Sequence, residues 1–68
     1  MADLIRLQEI IDDSGMTMVA ISKKSKISRE TLYNRLKANG DFKLSEVNGL
    51  TNTLRLTKKE RDEIFFNN

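Results

Sequence analysis

The 68-residue sequence contains no cysteine, no histidine and no proline. Without cysteine, the chain forms no disulfide and offers no thiolate to a metal, which fits a reducing compartment. Without histidine, it lacks the commonest general base and a common zinc ligand. It also has no glycine-rich phosphate loop and no spaced carboxylate pair that marks a cleft. We therefore expect no enzymatic activity, no cofactor and no metal.

Long apolar segments are absent as well. No hydrophobic run approaches the ~18 residues of a membrane span, and no signal-peptide pattern opens the chain. Hydrophobic residues nevertheless make up 38% of the sequence, a normal share for a globular fold despite 32% charged residues. The sequence predicts one small domain over residues 1–68 that acts in the cytoplasm, away from membranes.

Positive charge is concentrated in the middle of the chain, although the net charge is only +2. Residues 23–37 carry six lysines and arginines against one glutamate, whereas residues 1–22 carry four acids against one arginine. Residues 38–68 carry five charges of each sign. A local basic patch is typical of a site that binds a polyanion. The alternative is a lysine-rich helix face that is simply solvated.

Apolar periodicity and capping residues predict five helices. Their expected extents are about 3–14, 17–25, 28–38, 44–54 and 57–66. Gly15 and the pair Asn39-Gly40 supply stop signals, and Thr57 with Glu60 forms a capping box. Gly49 argues against one straight fourth helix, because glycine costs about 1 kcal/mol relative to alanine there.

Side-chain spacing gives the third helix two distinct faces. Leu32 and Leu36 are expected to point inward, whereas Arg29, Tyr33 and Lys37 lie on a different face. Arg35 lies nearer the inner stripe and is expected to pair with an acid of the first helix.

Other apolar and small residues predict the packing between helices. Ile27 is expected to fill the corner between the second and third helices, and the small Ser22 and Ser25 to let the third helix approach closely. An inner stripe is expected on the fourth helix. Its members are Leu44, Val47, Leu50 and Leu54.

The segment ISRETLYNRL at residues 27–36 resembles the turn and recognition helix of bacterial helix-turn-helix regulators. Five helices with this motif at the second and third resemble the Cro/repressor family of temperate phages, over nearly the whole chain. The chain is also similar to the small modulator-of-repression (anti-repressor) proteins of lactococcal phages, which bind the repressor protein. The resemblance implies an all-α, compact five-helix Cro/repressor-like bundle in the cytoplasm of a bacterial host cell.

Two residues depart from the family pattern. Met18 stands where the family usually has a glutamine that braces the recognition helix and contacts a phosphate. Lys26 stands where the turn usually has glycine, and a non-glycine residue adopts the left-handed conformation there only at some cost. Met18 removes one expected DNA contact and favours a protein partner.

Carried onto this sequence, the resemblance implies two sets of DNA-contacting residues. Candidates for base contacts are Ser28, Arg29, Glu30, Tyr33 and Asn34. Candidates for phosphate contacts, which position without reading sequence, are Thr17, Lys23, Lys24, Lys26, Lys37 and Lys43.

The base-contacting candidates have chemical preferences and, in two cases, an alternative role. Arg29 suits a bidentate contact to guanine, and Asn34 one to adenine. Tyr33 suits a thymine methyl or a phosphate, or is a half-buried core aromatic. Glu30 suits cytosine, or stabilises the helix dipole.

The implied partner is double-stranded DNA, bound in a lysis–lysogeny switch, with a homodimer placing two recognition helices about 34 Å apart. The alternative is an anti-repressor that forms a direct complex with the phage repressor, with both on DNA if the activities coexist. The modest net charge, Met18 and the apolar end at Ile64, Phe65 and Phe66 favour that alternative. The two phenylalanines are otherwise expected to pack against the first helix.

Overall fold

The computed structural model describes residues 2–37 and 41–66, and these residues form five α-helices and no strand. The helices are α1 (Leu4–Asp13), α2 (Met18–Ser25), α3 (Arg29–Lys37), α4 (Leu44–Leu54) and α5 (Lys58–Phe65). The all-α, five-helix prediction is confirmed for this part of the chain. The expected stop of the third helix at Asn39-Gly40 lies outside the described residues.

Short polar side chains cap the starts of α1, α2, α3 and α5. Asp3, Thr17, Ser28 and Thr57 each accept a hydrogen bond from the backbone N–H three residues on, at 3.1–3.2 Å. The Glu60 carboxylate returns a bond to the N–H of Thr57 at 2.9 Å, which completes the predicted capping box. Each cap satisfies N–H groups that a helix start otherwise leaves unpaired. The predicted starts are therefore confirmed to within a residue.

Every helix contributes at least one side chain to the core, together with the turn between α2 and α3. The buried hydrophobic residues are Leu7, Ile11, Ile21, Ile27, Leu32, Val47, Leu50, Ile64 and Phe65. Ile27, in the turn, is 5% exposed, so the prediction that it fills this corner is confirmed.

Helices α2 and α4 approach each other closely at two small residues, a contact that the sequence did not predict. A Cβ atom on Gly49 would lie 2.6 Å from the carbonyl oxygen of Ser25, nearer than real Cβ contacts allow. Ser25 is buried, so a small residue on each helix lets the two backbones meet. Gly49 therefore serves packing, and α4 runs through it without a break.

Two apolar predictions at the ends of helices need correction. Leu44 was expected in the inner stripe of α4 but is 66% exposed, because it lies in the first turn and the core contact begins at Val47. Of the terminal phenylalanines, Phe65 is buried, with its ring edge-on to Phe42 at 5.3 Å, whereas Phe66 is 48% exposed.

The two ends of the described chain lie side by side. The N–H of Asp3 donates to the carbonyl of Ile64 at 2.7 Å, and Arg6 approaches Glu63 at 3.9 Å. These contacts join α1 to α5. Among the described residues, no helix has the length and apolar character needed to span a membrane.

Candidate nucleic-acid interface

The turn between α2 and α3 is held by backbone geometry and one side-chain bond. Lys26 ends α2 in the left-handed region, with φ 63° and ψ 25°. The Ser22 hydroxyl donates to the carbonyl of Ile27 across the turn. The prediction that Lys26 takes the conformation usually given to glycine is confirmed. The turn thus fixes the direction in which α3 leaves α2.

One side of α3 is open to solvent. Arg29, Glu30, Asn34 and Lys37 are exposed, and Tyr33 is 45% exposed. Because these positions are one or four residues apart, they form a continuous face on the helix. The side chain of Leu32 is fully buried on the other side. Tyr33 is therefore about half exposed and lies outside the hydrophobic core cluster of the described residues.

Ser28 differs from the other candidates for base contacts. Its hydroxyl accepts from the N–H of Thr31 at 3.2 Å and lies 2.9 Å from the Thr31 hydroxyl. Ser28 is exposed, but these bonds give it a structural role at the start of α3. Glu30 lies in the first turn of the same helix, where its charge also favours the helix dipole.

The residues predicted to contact phosphate are all exposed. Lys23 and Lys24 lie in the last turn of α2, and Lys43 precedes α4. Thr17 caps α2, with its hydroxyl accepting from the N–H of Ala20 at 3.1 Å. Within residues 2–37 and 41–66, none of these lysines forms a salt bridge with an acid. Their charge is therefore available to a polyanion.

A half-open cleft of about 360 Å³ lies between the end of α2, the turn and α4. Lys24 and Lys26 line one side of it, and Ser45 and Asn52 of α4 line the other. Ser45 and Asn52 were not predicted from the sequence as site residues. Both residues lie one turn from Gly49, and this spacing could have indicated them, because that glycine brings α4 against α2.

Arg35 does not join the exposed face of α3. Its Nε atom lies 3.1 Å from Oε1 of Glu46, so its partner acid is on α4 and the prediction of an acid on α1 is wrong. Glu46 lies in the first turn of α4, so this turn is the part of α4 that meets Arg35. The same Glu46 oxygen accepts from the N–H of Lys43 at 2.8 Å. Arg35 therefore ties α3 to the start of α4.

Glu46 is held as a carboxylate by these contacts. Burial alone raises its pKa, but the bond from the N–H of Lys43 and the bond and charge of Arg35 outweigh burial. The net effect lowers the pKa of Glu46 below its ordinary value. A charged Glu46 and a paired Arg35 hold the exposed side of α3 in place at neutral pH.

Met18 opens α2 and packs, partly buried, against the hydrophobic core. Its thioether side chain offers no hydrogen-bond donor to a phosphate. The arrangement is thus a solvent-facing α3 with lysines on the flanking elements and no contribution from Met18. The chain matches no protein-family model, no curated protein and no solved structure.

Proposed function

We propose that this chain is a phage-type transcriptional regulator that binds operator DNA in the cytoplasm of a bacterial host cell. In this proposal α2 and α3 form the helix-turn-helix of a Cro/repressor-like bundle, and α3 enters the major groove. The observation that carries the proposal is the exposed polar face of α3, with Arg29, Tyr33 and Asn34 in solvent and Leu32 buried behind them.

The exposed face of α3 carries the side chains suited to base edges. Arg29 donates two bonds to guanine O6 and N7, and Asn34 forms two bonds with adenine. Each such pair contributes about 1–3 kcal/mol of discrimination against the wrong base. Tyr33 contacts a thymine methyl or a phosphate beside them.

Phosphate contacts come from the elements on either side of α3. Lys23, Lys24 and Lys26 approach one stretch of backbone from the end of α2 and the turn, and Lys43 approaches from the start of α4. These contacts set the register of α3 in the groove without reading sequence. A homodimer places two copies of α3 about 34 Å apart, on successive turns of one side of the duplex.

The test is a salt titration of binding to double-stranded DNA. The probe is a labelled duplex of about three helical turns, selected by the protein from a random pool. We expect log K to fall linearly with log salt, with a slope of about −0.9 for each phosphate contacted. A flat slope, or no duplex retained from the pool at low salt, contradicts the proposal.

A second candidate function is an anti-repressor that binds the phage repressor directly. The exposed ring of Phe66, 5.7 Å from the guanidinium carbon of Arg61, favours it, because an exposed aromatic beside a cation suits a protein contact. Burial of Ile64 and Phe65 leaves less apolar surface at this end than the sequence suggested.

The anti-repressor function is tested by light scattering on a mixture with the repressor of the same phage. A complex that forms with the native chain and is lost in Phe66→Ser supports this function. Two unshifted peaks contradict it. Asn48→Ser, also exposed on α4, is the control.

A further inference from the structure

An open groove runs along α1 on the surface where α1 meets α3. It measures about 400 Å³ and is called here the acidic groove. It is lined by Leu4, Ile5, Gln8, Glu9, Asp12 and Leu36. Ile5 is 80% exposed, more than any other large hydrophobic side chain in the described parts of the chain. An apolar side chain that open, with acids beside it, is typical of a contact surface.

The acids of this groove have no basic partner within the described ranges. Neither Glu9 nor Asp12 takes part in a salt bridge there. The Gln8 amide donates to Asp12 at 3.0 Å, which orients that carboxylate while leaving its charge unneutralised. The groove therefore combines an apolar floor with two free negative charges and suits a basic, partly apolar surface.

Exposed basic and apolar side chains also lie on α2 and α3, two helices that pack against each other. We call this surface the basic face and define it by Val19, Lys23, Arg29, Tyr33 and Lys37. Its cations also lack salt bridges within residues 2–37 and 41–66. Val19 is 43% exposed and Tyr33 45% exposed, so the face has apolar contact area as well.

The two surfaces adjoin at α3. Leu36 lines the acidic groove, while Tyr33 and Lys37, three residues before it and one after it, belong to the basic face. A two-fold axis between two copies would bring each groove against the basic face of the other, and such a contact closes on itself. Both surfaces are then covered within a dimer, without the addition of further copies.

We propose that the acidic groove binds the basic face of a second copy, forming a reciprocal dimer. This dimer goes beyond the proposed function, because it forms without DNA and differs from the DNA-bound homodimer, in which both copies of α3 face the duplex. It covers the exposed side of α3, so it competes with any duplex for Arg29 and Tyr33. In the dimer, each copy therefore covers the DNA-binding face of the other until DNA displaces it.

Charge complementarity sets the conditions for observing the dimer. The groove and the face are small, so the interface falls at the weak end of the size range for protein contacts. Salt screens exposed charges within about 10 Å at ~0.1 M, so added salt weakens the association. Sedimentation velocity on the DNA-free protein, from low to high micromolar at low salt, is the suitable measurement.

Asp12→Lys and Asp13→Lys form the decisive pair of variants. Both reverse one charge at the end of α1, but Asp12 lines the groove and Asp13 does not. We expect native protein and Asp13→Lys to dimerise alike, with dissociation constants at least about tenfold higher for Asp12→Lys and Ile5→Ser. A monomer at every concentration, growth beyond two copies, or equal effects of the two aspartate variants overturns the proposal.

Mixing variants identifies the occupant of the groove. The double variant Glu9→Lys with Asp12→Lys, and the double variant Arg29→Glu with Lys37→Glu, should each remain monomeric alone. Mixed together, they should form a heterodimer, because each groove then meets a face of opposite charge. Failure of the mixture to associate, with both variants folded by circular dichroism, overturns the basic face as the occupant.

Discussion

At the scale of single residues, two non-glycine residues within 2–37 and 41–66 adopt the left-handed backbone conformation. Lys26 ends α2 with φ 63°, and Arg55 ends α4 with φ 55°. In both cases the backbone reverses direction immediately after the helix, where glycine is the usual choice. The strain at Lys26 is retained directly beside the exposed face of α3. A positive charge at the turn therefore has a cost in stability.

Lys26→Gly should stabilise the fold. Glycine removes about 1–2 kcal/mol of left-handed strain and adds about 0.5–1 kcal/mol of unfolded-chain entropy, for a net gain of roughly 0.5–1 kcal/mol. Urea unfolding at neutral pH measures the difference. Lys23→Gly, on the helical part of α2, is the control and should cost about 1 kcal/mol. A loss of stability in Lys26→Gly contradicts the strain assigned to the turn.

Gly49→Ala should destabilise the fold, although alanine is the better helix former. The added Cβ atom meets the carbonyl oxygen of Ser25 at 2.6 Å, so α2 and α4 must move apart. We expect a loss of about 1–3 kcal/mol, the usual cost of overpacking. Thermal unfolding compared with Asn48→Ala, the exposed neighbour, measures it. If Gly49→Ala instead gains stability by about 1 kcal/mol, the helix preference of alanine over glycine, then α2 and α4 do not approach closely at Ser25.

At the scale of helices, the Arg35–Glu46 pair connects α3 to the start of α4. The arginine side chain is 27% exposed and the glutamate 12% exposed, so water screens this pair less than the surface pairs. A lowered pKa means that the carboxylate is the form that stabilises the fold. Its contribution is complete above the ordinary value of 4.5 and is lost as the pH falls below that value.

Glu46→Gln should lower the stability near neutral pH and reduce its loss in acid. We expect a cost of about 1 kcal/mol near pH 7, because Arg35 keeps a weaker neutral partner. Between about pH 5 and pH 3 the variant should lose less stability than the native chain. Part of the stability that the variant still loses in acid comes from Glu60, whose pKa is lowered by the hydrogen bonds with Thr57.

Urea unfolding across that pH range compares the native chain, Glu46→Gln and the control Glu63→Gln. Glu63 is 44% exposed and its ion pairs are longer, at 3.9 and 4.0 Å, so its removal should change little. If Glu46→Gln and Glu63→Gln behave alike, the link between α3 and α4 does not contribute to stability.

Helix bounds were predictable from the sequence because their signals are local. Thr17, Ser28 and Thr57 cap the residues that follow them, and Gly15 takes a φ of 72° directly after α1. The exposure of Arg29 and the burial of Leu32 followed from helical spacing in the same way. Such signals depend only on residues within one turn.

Contacts between helices were less predictable. The partner of Arg35, the meeting of Gly49 with Ser25 and the exposure of Leu44 each depend on how α4 lies against α2 and α3. Periodicity shows which side of a helix is apolar, but not which helix covers that side. The positions of Ser45 and Asn52 in the cleft beside Lys24 also depend on which helix α4 meets, so periodicity did not predict them.

At the scale of the whole molecule, charge is divided between two neighbouring surfaces. Among the described residues, α1 carries the acids of the groove, and α2 with α3 carries the cations of the basic face, and neither set forms a salt bridge. A molecule with a net charge of +2 thus presents strong local fields of both signs. DNA and a second copy compete for the same cations in this account. Binding should therefore depend steeply on salt for both.

The most direct measurement compares the DNA affinity of Arg29→Ala with that of Arg6→Ala on the selected duplex. Each variant removes one exposed arginine, from α3 and from α1, and circular dichroism verifies that both remain folded. We predict that Arg29→Ala weakens binding at least about tenfold and relaxes the preference at one base pair, whereas Arg6→Ala changes it little. Unchanged affinity in Arg29→Ala, or equal losses in both variants, contradicts the account.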